Sequence, residues 1–298
     1  MNIGFVILLA EIKALGRAQS YAEIREMALA AEALDFDSLW LYDHLLYRPE
    51  EQSTIGIWEC WTMLSALAEA TQRVELGSLV LCNTFRNPAI LAKMAHTLDE
   101  VSGGRFILGV GAGWNKPEYD AFGLPFDYRV SRFEEAIQII RPLLREGRVD
   151  FSGTYYQARD CEIAPRGPRP QGPPLMIAGD GPRMLRITAQ HADLWNAAYM
   201  TGPGSLAEPR AKLDAACAEA GRDPATLGVT ALVALNYPDL GEPGGSIAEW
   251  LSGSTEEIAE AMRGYERLGV THLMFHCAPY NMATLERLGQ ALRTYRAS

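Results

Sequence analysis

Two adjacent residues at the end of an apolar run raise the question of chemistry first. Asp43 and His44 close the stretch SLWLYDH, residues 38 to 44. A histidine at the end of a strand can donate, accept or shuttle a proton near neutral pH, and a neighbouring carboxylate can raise its pKa or fix its tautomer. Adjacent residues on an extended chain point to opposite sides, so the sequence leaves that coupling open, and a histidine in a surface turn is the structural alternative.

Glycines supply the next candidates. In GGRFILGVGAGWN, residues 103 to 115, Gly109, Gly111 and Gly113 stand at every second position. A dinucleotide-binding fingerprint requires G-x-G-x-x-G opening a helix directly, with an acidic residue about 20 positions later at the end of the next strand. Here Trp114 takes the place of the third glycine, the helix is expected only near Arg132, beyond Pro117 and Pro125, and the acidic position falls inside that helix. The dinucleotide reading fails. What survives is a strand whose carboxyl end lacks side chains, so that a flat ring or another backbone could approach; a strand that merely bends is the alternative.

A second cluster lies at GDGPRML, residues 179 to 185, directly after the strand-like LMIAG. Gly179, Asp180 and Gly181 precede Pro182, which suits a first helical turn, and Arg183 stands beside it. Free backbone N–H groups and the helix dipole would there face an anion such as phosphate, or form a tight turn with no ligand. His272 and His276 are four apart, a zinc spacing on a helix, but THLMFHC reads as a strand without a nearby carboxylate, and no metal site is expected. Trp40, Trp58 and Trp61 read as core. Neither G-x-S-x-G nor a Walker loop occurs.

These residues need a frame. Strand-like runs fall at 3–8, 38–42, 74–81, 105–110, 175–179, 193–198, 227–235 and 271–277, with helically spaced patterns between them. Eight strands alternating with eight helices in 298 residues is the arithmetic of a (β/α)8 barrel of one domain, residues 1–298, although an open doubly wound sheet is also compatible. The interval of about 147–173 combines hairpin-like aromatics with a Pro/Gly/Arg-rich stretch and reads as an insertion forming a lid.

Composition narrows the partners. A net charge of -10 without a basic patch argues against nucleic acid and anionic membrane surfaces. Five cysteines, odd in number and without C-x-x-C spacing, suit a reducing compartment. The opening IGFVILLA is too short for a membrane span and lacks a basic segment before it, so a cytoplasmic protein is expected.

SLWLYDH, the run LGSLVLCNTFRNPAILAKMAHTLDEVSGGRFILGVGAGWNKPEYDAFGLPF, and PLMIAGDGPRMLRITAQHADLWN together resemble the bacterial luciferase-like family. Within it they resemble the branch that uses the deazaflavin coenzyme F420 more than the branch that uses FMN and oxygen. The resemblance implies a (β/α)8 barrel with insertions and a redox ring across the carboxyl ends of the strands. Asp43 and His44 would lie beside the ring's reactive edge, with His44 handling a proton. Leu79 and Val80 match a bulge, often with a non-prolyl cis bond, against the ring's back face. Gly109, Gly111 and Gly113 would pass near the cofactor, and Gly179, Asp180 and Gly181 would hold its phosphate. Sugar-phosphate dehydrogenases of the family carry a glutamate immediately after the glycine run, where this chain has Trp114, so that reaction is not expected. The implied activity is hydride transfer between F420 and an unidentified organic substrate in a possible homodimer. An FMN-dependent monooxygenase, a non-catalytic flavin- or deazaflavin-binding protein and a non-redox phosphosugar barrel are the alternatives.

Overall fold

Short apolar strands expose two faces and a row of backbone donors and acceptors, and a closed barrel satisfies both demands. The computed structural model describes residues 1–48, 53–241, 247 and 249–297. Its barrel strands are β1 (Asn2–Ile7), β2 (Ser38–Leu41), β3 (Glu75–Ser78), β4 (Phe106–Gly111), β5 (Leu175–Ala178), β6 (Leu194–Met200), β7 (Gly228–Asn236) and β8 (Val270–Ala278). All pair in parallel with their neighbours in sequence. Phe5 lies opposite both Leu39 and Phe275, and the ring closes where Leu108 of β4 meets Leu175 of β5. The expected (β/α)8 barrel is present, and the doubly wound alternative is excluded by that closure.

Around it lie α1 (Tyr21–Ala33), α2 (Cys60–Ala70), α3 (Pro88–Val101), α4 (Arg129–Arg145), α5 (Pro182–His191), α6 (Ala207–Glu219), α7 (Thr255–Arg267) and α8 (Met282–Arg296). Their starts follow ordinary capping chemistry: Ser20 with Glu23 and Ser254 with Glu257 form capping boxes, and Asn87 caps a helix with proline in its first turn. Among the described residues no helix is long and apolar enough to cross a membrane.

Side-chain alternation splits the core in two. Leu39, Leu41, Phe106, Leu108, Leu273 and Phe275 face outward under the helices. Val6, Trp40, Ile107, Met176, Leu232 and Met274 face inward and fill the barrel. Trp40 is fully buried, and two glycines make room for it. A Cβ at Gly77 would lie 2.1 Å from Trp40 Cζ3, and one at Gly4 would lie 2.6 Å from Nε1. Below, Trp40 Nε1 donates to Ser38 Oγ at 2.7 Å, and Ser38 Oγ pairs with His272 Nε2 at 2.8 Å. Trp58, expected in the core, is 46% exposed instead, because its indole N–H reaches out to the Gln19 carbonyl.

Residues 147–173 do not form the expected lid. Arg148–Ser152 and Gln157–Glu162 make an antiparallel hairpin whose turn is tied to α4: Glu135 accepts from the amides of Thr154, Tyr155 and Tyr156 at 2.8, 2.8 and 3.1 Å. The arginine-rich part then passes beneath the barrel, where Gly167 N–H donates to His96 Nδ1 and Arg169 binds Asp99 and the carbonyl of Phe106, the first residue of β4. Four hydrogen bonds, one from the Gly167 amide and three from the Arg169 guanidinium, hold this part of the segment at the amino ends of the strands.

Burial lowers the pKa of His272 to about 4, against about 6.5 in an unfolded chain. The unfolded state therefore binds more protons between those values, so the contribution is complete above pH 6.5 and is lost as pH falls toward 4, to a total of about 3 kcal/mol. Urea denaturation between pH 7 and 4 should show this slope, shallower by that amount in His272→Gln. Gly109→Ala, whose Cβ would lie 1.9 Å from the Ser78 carbonyl oxygen, should cost roughly 3 kcal/mol in the same assay at pH 7.

Candidate active site

A cavity of about 2610 Å³ opens over the carboxyl ends of the strands. Typical small-molecule pockets hold roughly 300–1,000 Å³, so this one has room for a large cofactor together with a substrate. Its floor is the inward core, capped by Leu79 and Val80. Its wall passes from Tyr42 and His44 after β2, through Gly113 and Trp114 after β4, to Ala178, Tyr199 and His276 at the ends of β5, β6 and β8.

His44 is held at one nitrogen. Its Nδ1 lies 2.7 Å from Oε1 of Glu118, a side chain 2% exposed, while Glu118 Oε2 accepts from the Leu45 amide at 2.6 Å. That leaves Nε2 toward the cavity that the ring lines, with Tyr47 at 4.4 Å and Trp114 at 5.6 Å between ring centroids. This is the geometry of a positioned acid/base: one ring nitrogen oriented by a carboxyl group, the other free for a reacting proton.

Asp43 is not that partner. As adjacency on an extended chain implies, it turns the other way, and Arg86 donates to both its oxygens at 2.7 and 3.1 Å while the Cys82 amide donates at 3.0 Å. Burial pushes its pKa up, against the downward pull of Arg86. The pair secures the loop after β3 to the end of β2.

In that loop the Leu79–Val80 peptide bond is cis, as the resemblance implied. The glycines of β4 accommodate this bulge. A Cβ at Gly109 would strike the Ser78 carbonyl, one at Gly111 would lie 2.9 Å from Val80 Cγ2, and one at Gly113, where φ is +77°, would lie 2.0 Å from the Tyr119 hydroxyl. Of the two partners foreseen for the bare strand, ring or backbone, the chain's own backbone and side chains take the space at Gly109 and Gly111. Gly113 alone of the three lines the cavity.

Gly179, Asp180 and Gly181 leave β5 directly after the cavity-lining Ala178. Gly181 caps α5 without a side-chain hydrogen bond, and Pro182 occupies the first turn, so the next amides point out of the helix start uncapped. Arg183 does not join them. Its guanidinium is bound to Glu134 and to Ser131 Oγ of α4.

Sequence reasoning missed Glu118, which sits on a short helix, Lys116–Phe122, that begins three residues after Gly113. It also missed Asn196, whose Nδ2 donates to Thr230 Oγ1 at 2.9 Å and whose side chain lines the cavity. Two signals were present: the acidic residue in KPEYDAF, and a polar residue inside the apolar strand DLWNAA. His272 and His276, weighed for metal, lie at opposite ends of β8, and no metal-binding cluster occurs among the described residues.

The chain is 37% identical over 174 residues to the pyrimidine monooxygenase RutA of Cronobacter sakazakii, an alignment covering 55% of this chain and 50% of that protein. The chain thus spans about half the length of the curated relatives it matches. Its fold resembles an F420-dependent secondary alcohol dehydrogenase in complex with an F420-acetone adduct, with a TM-score of 0.82, 20% identity and 99% of each chain covered. A riboflavin lyase (RcaE) with modified FMN gives 0.81 at 15% identity, covering 100% of this chain and 91% of its own. Residues 1–239 match the luciferase-like monooxygenase family, and the chain belongs to it.

Proposed function

We propose that the chain is an oxidoreductase that moves a hydride between coenzyme F420 and an organic substrate, with His44 as the acid/base. The observation that carries this reading is the His44–Glu118 pair, which lines the same cavity as Leu79 and Val80 and has one imidazole nitrogen without a protein partner among the described residues. The residues fit a flat ring with an anionic tail: the floor is apolar, the rim at Gly113 and Ala178 is bare, and the helix start at Gly181, outside the cavity lining but three residues beyond Ala178, offers uncapped amides. Leu79, Val80 and Gly113 would bear on the ring, and Gly179, Asp180 and Gly181 with the first amides of α5 would hold the phosphate. Bound there, the coenzyme supplies a two-electron hydride donor or acceptor.

The chain's own work is then positional and protic. The floor fixes depth, Trp114 and Tyr47 flank the imidazole, and His44 Nε2 gives or takes the proton that accompanies the hydride. Glu118 keeps the imidazole in one orientation and compensates the positive charge when it is protonated. Asp43, bound by Arg86, holds the rim and stays out of the reaction.

A second reading, an FMN-dependent monooxygenase, is favoured by the likeness to RutA. Titrating the protein with F420 and with FMN while following the fluorescence of Trp114 and Trp250, both in the cavity, separates the two. Micromolar F420 binding with FMN at least tenfold weaker is expected. The reverse order, with oxygen uptake in the presence of a flavin reductase, would hand the site to the second reading.

His44→Ala should lower turnover by about 10²- to 10⁴-fold while coenzyme affinity changes little. Glu118→Gln should weaken the orientation of the ring, seen as loss of the hydrogen-bonded His44 Nδ1–H resonance in proton NMR spectra. A protein that merely binds the coenzyme would give no turnover in either background.

A further inference from the structure

The cavity has a second wall that the proton-handling pair does not use. Tyr199 sits in the left-handed region at φ +53°, where a tyrosine is rarely found, at a bulge in which Ala197 pairs with Ala231 but Met200 pairs with Val233. The extra residue leaves the ladder and turns its ring to the cavity, 6.5 Å from the ring of His276. Trp250 meets the same imidazole edge-on at 6.0 Å. Local strain of this kind persists where the surroundings enforce it and concentrates at ligand clamps.

We propose that Tyr199, Trp250 and His276 form the substrate subsite of the reaction described above, and that it takes an uncharged, planar aromatic or heteroaromatic ring. The proposal rests on that reading only in calling the occupant the substrate. Three ring systems offer faces and edges to a planar guest, and such contacts contribute beyond the area they bury. None of the three rings carries a charge at neutral pH, since burial lowers the pKa of His276 to about 4; the charged residue beside them is the exposed Glu249, next to Trp250 in the cavity lining. A charged guest would give up its hydration with no counter-ion among the three rings, and an anion would also meet the Glu249 carboxylate. The neutral imidazole instead offers one donor and one acceptor, which suit a ring carrying a carbonyl, hydroxyl or ring nitrogen. This wall and the proton-handling pair line one and the same cavity, which takes in Tyr47, His44 and Glu118 as well as Tyr199, Trp250 and His276.

Isothermal titration calorimetry on the coenzyme-loaded protein tests this with four probes of one size: 1-indanone, its fully saturated counterpart, indane-1-carboxylate and 1-aminoindane. We expect 1-indanone to bind at least tenfold more tightly than the other three. Tyr199→Gly, which suits the left-handed backbone and so keeps the thermal midpoint, should reduce that preference to less than threefold, as should Trp250→Leu, whereas Tyr199→Phe should retain it. Equal binding of the aromatic and saturated ketones, tighter binding of either ion, or no binding of 1-indanone would overturn the proposal. The coenzyme reading fails separately: FMN in place of F420, with the ring preference intact, removes that reading and leaves the subsite standing.

Discussion

A carboxyl group taken out of water must find its donors inside the protein, and this requirement organises the rim of the barrel. Glu118 is 1% exposed and finds the imidazole of His44 and the amides of Leu45 and Leu46. One side chain thereby ties the short helix after β4 to the loop after β2. Removing it would leave buried backbone N–H groups unpaired as well as a loose imidazole. The Asp43–Arg86 pair performs the matching task one residue earlier, tying β2 to the loop after β3. Three successive strand ends are thus locked by two carboxyl groups, and His44 stands between them with a single ring nitrogen uncommitted.

Most of the architecture was legible because barrel strands are short, apolar and separated by helically spaced segments. The eight expected runs agree with the eight strands to within about two residues at most ends. The helix Cys60–Ala70 was harder to see: its cap is Glu59, whose carboxyl accepts from the amides of Trp61 and Thr62, in place of the usual Ser, Thr, Asn or Asp. The site was only half legible. His44 could be singled out because it follows a strand, whereas its partner lies 74 residues away and no local pattern announces it. The glycines of β4 were recognisable as a demand for space, but what fills that space, Ser78 and Val80, depends on how β3 and β4 meet in three dimensions.

The two ends of the barrel divide their labour. At the amino ends, Arg169, Arg166 and Arg105 satisfy carbonyl oxygens and Asp99, and the arginine-rich part of the inserted segment is spent there. At the carboxyl ends, aromatic and histidine side chains are left with open faces. The lid expected of the insertion failed because composition reveals that a segment is irregular and rich in donors, and does not reveal at which end its acceptors lie.

The indole that Gly4 and Gly77 admit into the barrel has a further effect. With Trp40, Met176 and Met274 filling the interior, the described residues leave no passage along the axis, and the chamber above them is a blind well. Whatever enters or leaves the chamber must therefore cross the carboxyl rim, and the largest side chain of the interior decides that the barrel has one mouth and not two.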